Sequence, residues 1–208
     1  MDITYLGAGS VKLSGKNLNI VTDPYEASNG LGNFTTKADV VVTTGPDTYS
    51  TVAGALLFDG PGEYEVKGAM VTGVAARLHI DEDGTRCTAY SVVVDGVNTV
   101  VTGNISGKLP SADVEKLGKV DVLVIPVGGF GLTLDAEGAA AVVAQLEPNY
   151  VVPVHYDDAK TKYPMPQASV DLFFKEMGVT PEAESKLRVN AKEMPTETQV
   201  VLLTRAGA

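Results

Sequence analysis

The side chains that could carry chemistry in this chain are few and widely spaced. Its 208 residues contain two histidines, His79 in "RLHIDEDG" and His155 in "PVHY", and one cysteine, Cys87. A zinc hydrolase needs about four donors, three from the protein and one position left for water, whose pKa the metal lowers to about 7. Two imidazoles fall short of that count. A mononuclear site would have to recruit a carboxylate, Asp47 of "TTGPDTYS" or Asp23 of "TDP". Other chemistries are weaker still. Cys87 has no adjacent histidine, which fits a buried hydrophobe better than a nucleophile. Ser10, Ser50 and Ser106 lack a G-x-S-x-G surround. "LGAGS" (6–10) runs into a strand rather than a helix and fails the context of a dinucleotide fingerprint, and "GNISGK" (103–108) has the wrong spacing for a phosphate loop. "VGGFG" (127–131) reads as a tight turn ahead of a helix, with a backbone anion nest as the alternative.

The elements that must position these residues are mostly strands. "DITYL", "SVKLS" and "LNIVT" carry strand signals, followed by "ADVVVT". Residues 55–75 alternate short apolar runs with Gly/Pro turns and predict three antiparallel strands, while "AYSVVVDGVNTVVTG" predicts a hairpin turning at Asp95-Gly96. Helices are expected only later: 110–118 with Ser111 as N-cap and Gly118 as stop, 134–148 from Asp135 to Pro148, and a third within "QASVDLFFKEMG". "KVDVLVIPVGG" and "NYVVPVHY" supply buried strands, and "TQVVLLT" a final one.

Two blocks recur in order. "SVKLSGKNLNIVTD" aligns with "SVVVDGVNTVVTGN", and "KADVVVTTG" with "KVDVLVIPVG", both at a separation of about 80 residues. This predicts one domain over residues 1–208 built from two similar halves, approximately 1–75 and 88–160. Each half has too little helix to cover its own sheet, so sheet should pack on sheet with helices outside, a four-layer α/β/β/α sandwich.

Composition narrows the partners. Sixteen basic against twenty-six acidic residues give a formal charge of −10, and there is no tryptophan, which argues against nucleic acid and anionic membranes. The N-terminal stretch has no basic leader or long apolar run, so a cytoplasmic protein is expected. Homo-oligomerisation is left open.

The blocks "ITYLGAGSVKLSG…LNIVTDPY", "ADVVVTTGPD", "FDGPGEYEVKGAMVTGV", "DVLVIPVGG…LTLDAEGAA" and "LEPNYVVPVHY" resemble the metallo-β-lactamase superfamily, in particular its small bacterial branch related to ascorbate-phosphate lactonase and other predicted zinc-dependent hydrolases. The resemblance implies the same sandwich. It also implies a T-H-x-H-x-D-H loop after the strand at 39–43, later blocks with a further His and a bridging Asp, and a last His at a strand end.

Carried across position by position, the ligands are missing. Thr43 matches the Thr, but Thr44, Pro46 and Tyr49 fall where the three histidines belong, and the aspartate position falls on Thr48, or on Asp47 if the loop is one residue out of step. The G-H-S of many relatives is Gly7-Ala8-Gly9 here; Asn104 replaces the bridging carboxylate and Gly107 an imidazole. His155 matches the last His and Asp23 a buried supporting aspartate, whereas the register of His79 is open. The expectation is a metallo-β-lactamase-fold pseudoenzyme with no catalytic or metal-binding residues, in which the family's zinc is not retained. A remnant pocket formed by Asp23, Thr44, Asp47, Tyr49, Asn104 and His155 would then take an unknown small ligand or be inert. The alternative is a reduced mononuclear hydrolase using Asp47, His155 and His79. His155 is open to either a relic or a packing role, Asp47 reads as a turn residue, and Tyr49 is expected to seek Asp23 or His155 for its hydroxyl.

Overall fold

The computed structural model describes residues 1–46, 49–79, 84 and 86–206. Strands dominate because the chain supplies valine-rich runs of four to nine residues broken by Gly, Pro, Asp and Asn. They are β1 (Asp2–Gly7), β2 (Ser10–Ser14), β3 (Asn19–Thr22), β4 (Val40–Val42), β5 (Leu56–Phe58), β6 (Gly62–Val66), β7 (Ala69–Arg77), β8 (Arg86–Val94), β9 (Val97–Val101), β10 (Val122–Pro126) and β11 (Tyr150–Val154). Short closing strands follow: β12 (Ala183–Glu184), β13 (Leu187–Arg188), β14 (Gln199–Val200) and β15 (Leu202–Leu203). The first large sheet has the order β13-β1-β2-β3-β4-β5, the second β14-β11-β10-β9-β8-β7-β6, and β12 pairs with β15.

One apolar core joins the two sheets. Ile3, Leu13 and Ile20 of the first and Val92, Val100 and Leu123 of the second are fully buried in the same cluster. Burying each such side chain contributes about 1.5–3 kcal/mol, so this interface is the main source of stability. No helix among the described residues is long and apolar enough to cross a membrane.

Five strands in each sheet repeat one set of pairings. β1-β2-β3 is antiparallel throughout and β3-β4-β5 parallel; β7-β8-β9 is antiparallel and β9-β10-β11 parallel. The hydrogen bonds at the strand entries repeat as well. The Asp39 carboxylate accepts from the Asn19 amide (2.8 Å), while the Asp39 amide donates to the Asn19 carbonyl and its carbonyl accepts from Leu56. Asp121 makes the same three bonds with Asn98 and Tyr150, the carboxylate accepting at 2.9 Å. Each aspartate serves an amide at the entry of the neighbouring strand, Asn19 as the first residue of β3 and Asn98 as the second of β9. In this pairing the counterpart of β1 is β7, which starts at Ala69, ahead of residue 88. At the β8-β9 turn Asp95 (φ 52°) and Gly96 (φ 78°) both take left-handed conformations, the type I′ geometry expected there.

Several elements differ from expectation. Of the three strands read in 55–75 as antiparallel, β5 instead pairs in parallel with β4 in the first sheet, and only β6 and β7 form the hairpin. "TQVVLLT" splits between β14 and β15, which belong to different sheets. The helices are α1 (Ser111–Leu117), α2 (Ala136–Leu146) and α3 (Val170–Met177), all in the second half of the chain. Pro110, not Ser111, is the N-cap of α1, whereas Asp135 caps α2 through Gly138 N–H and Ser169 caps α3 through Asp171 N–H.

Asp121 is the more enclosed of the paired aspartates, its side chain 13% exposed against 76% for its ion partner Lys119. Removing the carboxylate leaves the Asn98 amide without its acceptor, so Asp121→Ala should lower stability to urea by about 1–3 kcal/mol. Lys119→Ala, which removes only an exposed ion pair, should cost less than about 0.5 kcal/mol by the same measurement.

Candidate functional site

In α/β sheets, ligands bind beyond the carboxyl ends of parallel strands, because there the chain turns and exposes backbone and side chains around a crevice. Here Asp23 and His155 directly follow β3 and β11, and Thr44 and Asn104 lie in the loops just beyond β4 and β9. These four side chains and Tyr49, from the loop after β4, line one cavity of about 270 Å³. Ala8 and Gly9, from the turn between β1 and β2, complete that wall.

Asp23 has φ 41°, and its carboxylate turns toward Thr44. One carboxylate oxygen accepts from the Thr44 amide (2.7 Å), the other from the Thr44 hydroxyl (2.8 Å). The Thr44 carbonyl accepts from Thr88 N–H of β8 in the other sheet (2.7 Å). Gly103 (φ 61°) lies so close to Thr44 that a Cβ there would collide with its side chain. Thr44 is therefore enclosed from both sheets. The Tyr49 hydroxyl accepts from Gly45 N–H at 3.2 Å. Tyr49 also lines a surface groove together with Pro46, which does not line the cavity.

His155 sits at φ 53° and its amide donates to the Ala8 carbonyl (2.8 Å). Its Nδ1 lies 3.2 Å from Gln167 Oε1. The Gln167 amide nitrogen donates to the Pro166 carbonyl (2.7 Å), which orients Oε1 as the acceptor and assigns the proton to His155 Nδ1. The ring stacks at a tilt on Tyr163, 4.5 Å between centroids. Burial lowers the His155 pKa to about 4, against a smaller upward pull from Gln167. The imidazole is neutral at pH 7, with Nε2 as its free acceptor. Gln167, Tyr163, Tyr25 and Glu26 were not legible as site residues, since none belongs to a motif. The one usable signal was the aromatic and acidic content of "TDPYE", directly after Asp23.

His79 is elsewhere. Its amide donates to the Asn104 carbonyl, but its ring faces a second cavity with Lys108, Phe130 and Asp135, where its Nδ1 is buried with no hydrogen-bond partner among the described residues. Gly107 lines that second cavity too. The structure therefore does not bring His79 and His155 together around one cavity. Asp47 and Thr48 lie outside the described residues. Cys87 is buried, its thiol pushed up to about 12 chiefly by desolvation, which leaves no thiolate at neutral pH.

A zinc ion does not fit the residues described here. Among them no group of three or more His, Cys, Asp or Glu side chains is placed to hold a metal. The cavity offers one imidazole, and one of its two lining carboxylates, Asp23, already accepts two bonds from Thr44.

Two large mixed sheets sharing a core, with the candidate site across their strand ends, define the sandwich of the metallo-β-lactamases. The sequence model of the Beta-lactamase superfamily domain matches residues 2–155, and the chain belongs to that superfamily. Among solved structures it is similar to a metallo-β-lactamase superfamily protein of Thermotoga maritima, described as a candidate Zn-dependent hydrolase, at 26% identity and TM-score 0.79 over 97% of both chains. It shares the fold of Igni18, a metallo hydrolase of Ignicoccus hospitalis (20% identity, TM-score 0.62, 85% of this chain and 90% of that one). It likewise shares the fold of an isothiocyanate hydrolase from Delia radicum gut bacteria (11% identity, TM-score 0.64, 92% and 100%). No curated protein matches the chain.

The His155 shift has a consequence for stability. Its folded pKa is depressed from 6.5 to about 4, so between these values the unfolded chain binds a proton that the folded one refuses. The contribution is complete above the unfolded value and is lost as pH falls through this window, on the order of 1 kcal/mol per pH unit. Urea unfolding from pH 7 to pH 4 should show wild type losing stability more steeply than His155→Asn, a variant whose residue tolerates the left-handed backbone. Equal slopes would contradict the burial argument.

Proposed function

We propose that this chain is a non-catalytic member of the superfamily, in which positions that hold metal in active relatives now hold the protein itself and leave a small binding site at the strand ends. The observation that carries this reading is the Asp23–Thr44 pair. Where the resemblance implies a histidine supported by an aspartate, a threonine amide and hydroxyl each bond one oxygen of the carboxylate from within the chain. The remaining imidazole serves as donor to Gln167 and as a stacking surface for Tyr163, which gives it a packing role whether or not a ligand is present. The cavity nevertheless stays open and mixed in character, with carboxylates, Asn104 and tyrosines beside Val101, Val124 and Val154. A site filled by side chains would support an inert scaffold; this one supports binding.

Protein purified without chelator should contain well under about 0.1 zinc per chain by mass spectrometry and should not hydrolyse phosphodiester, lactone or thioester substrates. About one zinc per chain, with hydrolysis abolished by His155→Ala, would establish the reduced metallohydrolase instead.

A further inference from the structure

We propose that the strand-end cavity binds a small organic cation, a protonated or quaternary amine, rather than the anionic esters that a positively charged metal centre would attract. The inference rests on the non-catalytic reading above, and its starting point is the charge of the lining. Among the described residues that line it, Asp23 and Glu26 are the charged side chains, and none is a lysine or arginine. Arg205, beside Gly7, and Lys162, beside Gly30, stand outside it. His155 adds no positive charge, since it is neutral at pH 7. A phosphate or carboxylate entering here would meet two acidic side chains and no lysine or arginine among the described lining residues, whereas an ammonium group is attracted by both.

The aromatic lining points the same way. Tyr25, Tyr49 and Tyr163 all border the cavity, and each is held by a separate contact: Tyr25 edge-on to Phe34 at 5.0 Å, Tyr163 against His155, and Tyr49 through Gly45 N–H. Tyrosine faces attract alkylammonium groups through the ring quadrupole, and the attraction grows as water is excluded. Burial raises the Tyr163 hydroxyl pKa well above its ordinary value, so this ring borders the cavity as a neutral phenol. The volume, about 270 Å³, is at the small end for ligand sites and suits a molecule of few heavy atoms.

The test uses a matched pair of probes on the full chain: choline, and 3,3-dimethylbutan-1-ol, which has the same shape with carbon in place of the cationic nitrogen. Titration calorimetry at pH 7, with metal content measured on the same sample, should give choline at least about tenfold tighter binding than the alcohol. Inorganic phosphate should show none. Glu26→Gln, which removes one lining charge from a half-buried position that makes no side-chain hydrogen bond in the described structure, should weaken choline several-fold with an unchanged unfolding midpoint. Absence of choline binding, equal binding of the alcohol, binding of phosphate, or an unaltered Glu26→Gln affinity would each overturn the cation site while leaving the metal-free reading intact. Stoichiometric zinc in the sample would overturn that reading and this inference together.

Discussion

The clasp between Asp23 and Thr44 is the contact on which the architecture of the site depends. Asp23 leaves β3 with a left-handed backbone, donates its amide to the Val42 carbonyl, and takes both bonds from Thr44 with its carboxylate. Thr44 then hands its carbonyl to Thr88 in the opposite sheet and presses its side chain against Gly103. The ends of β3, β4, β8 and β9 are thereby tied at one point. Each carboxylate bond is charge-assisted and stronger than a neutral one, and the enclosed position protects it from competition with water.

Legibility in the sequence followed the range of the interactions involved. The hairpin at Asp95-Gly96 and the buried valine strands are local patterns, and they stand where the residues put them. The paired aspartates, Asp39 and Asp121, were visible as a fixed spacing, and the structure shows what the spacing preserves: one capping bond to Asn19 in the first sheet and one to Asn98 in the second. The sheet membership of β5 was not legible. Leu56–Phe58 pairs in parallel with a strand sixteen residues earlier, and neither apolar alternation nor turn residues distinguish that from a hairpin with β6. The splitting of "TQVVLLT" between two sheets was hidden for the same reason, because one short apolar run can serve two edges.

At the site, resemblance located the strand-end positions, and side-chain chemistry at long range decided what they do. Gln167 is the clearest example. It is 8% exposed and clamps His155 from twelve residues away, yet nothing in "MPQAS" marks it. Gly128 is the other half of that clamp: a Cβ there would strike both the His155 carbonyl and Gln167 Oε1, so the glycine permits the approach that orients the imidazole. Tyr49 is held locally as well, its hydroxyl accepting from the backbone amide of Gly45, four residues away.

Fold and chemistry separate cleanly in this chain. The sandwich needs the sheet-to-sheet core, the aspartate caps and the clasp, and none of these asks for a metal. The positions where metal ligands would stand are strand termini, and strand termini must satisfy their own backbone groups in any case. Threonine at 44 does this with a short side chain, and the neutral His155 does it with an amide to Ala8 and a ring proton to Gln167. Among the described lining residues, the charged side chains of the crevice are Asp23 and Glu26. Function resides in the site and not in the fold, so the same strands can carry a crevice whose own side chains decide which ligands it meets favourably.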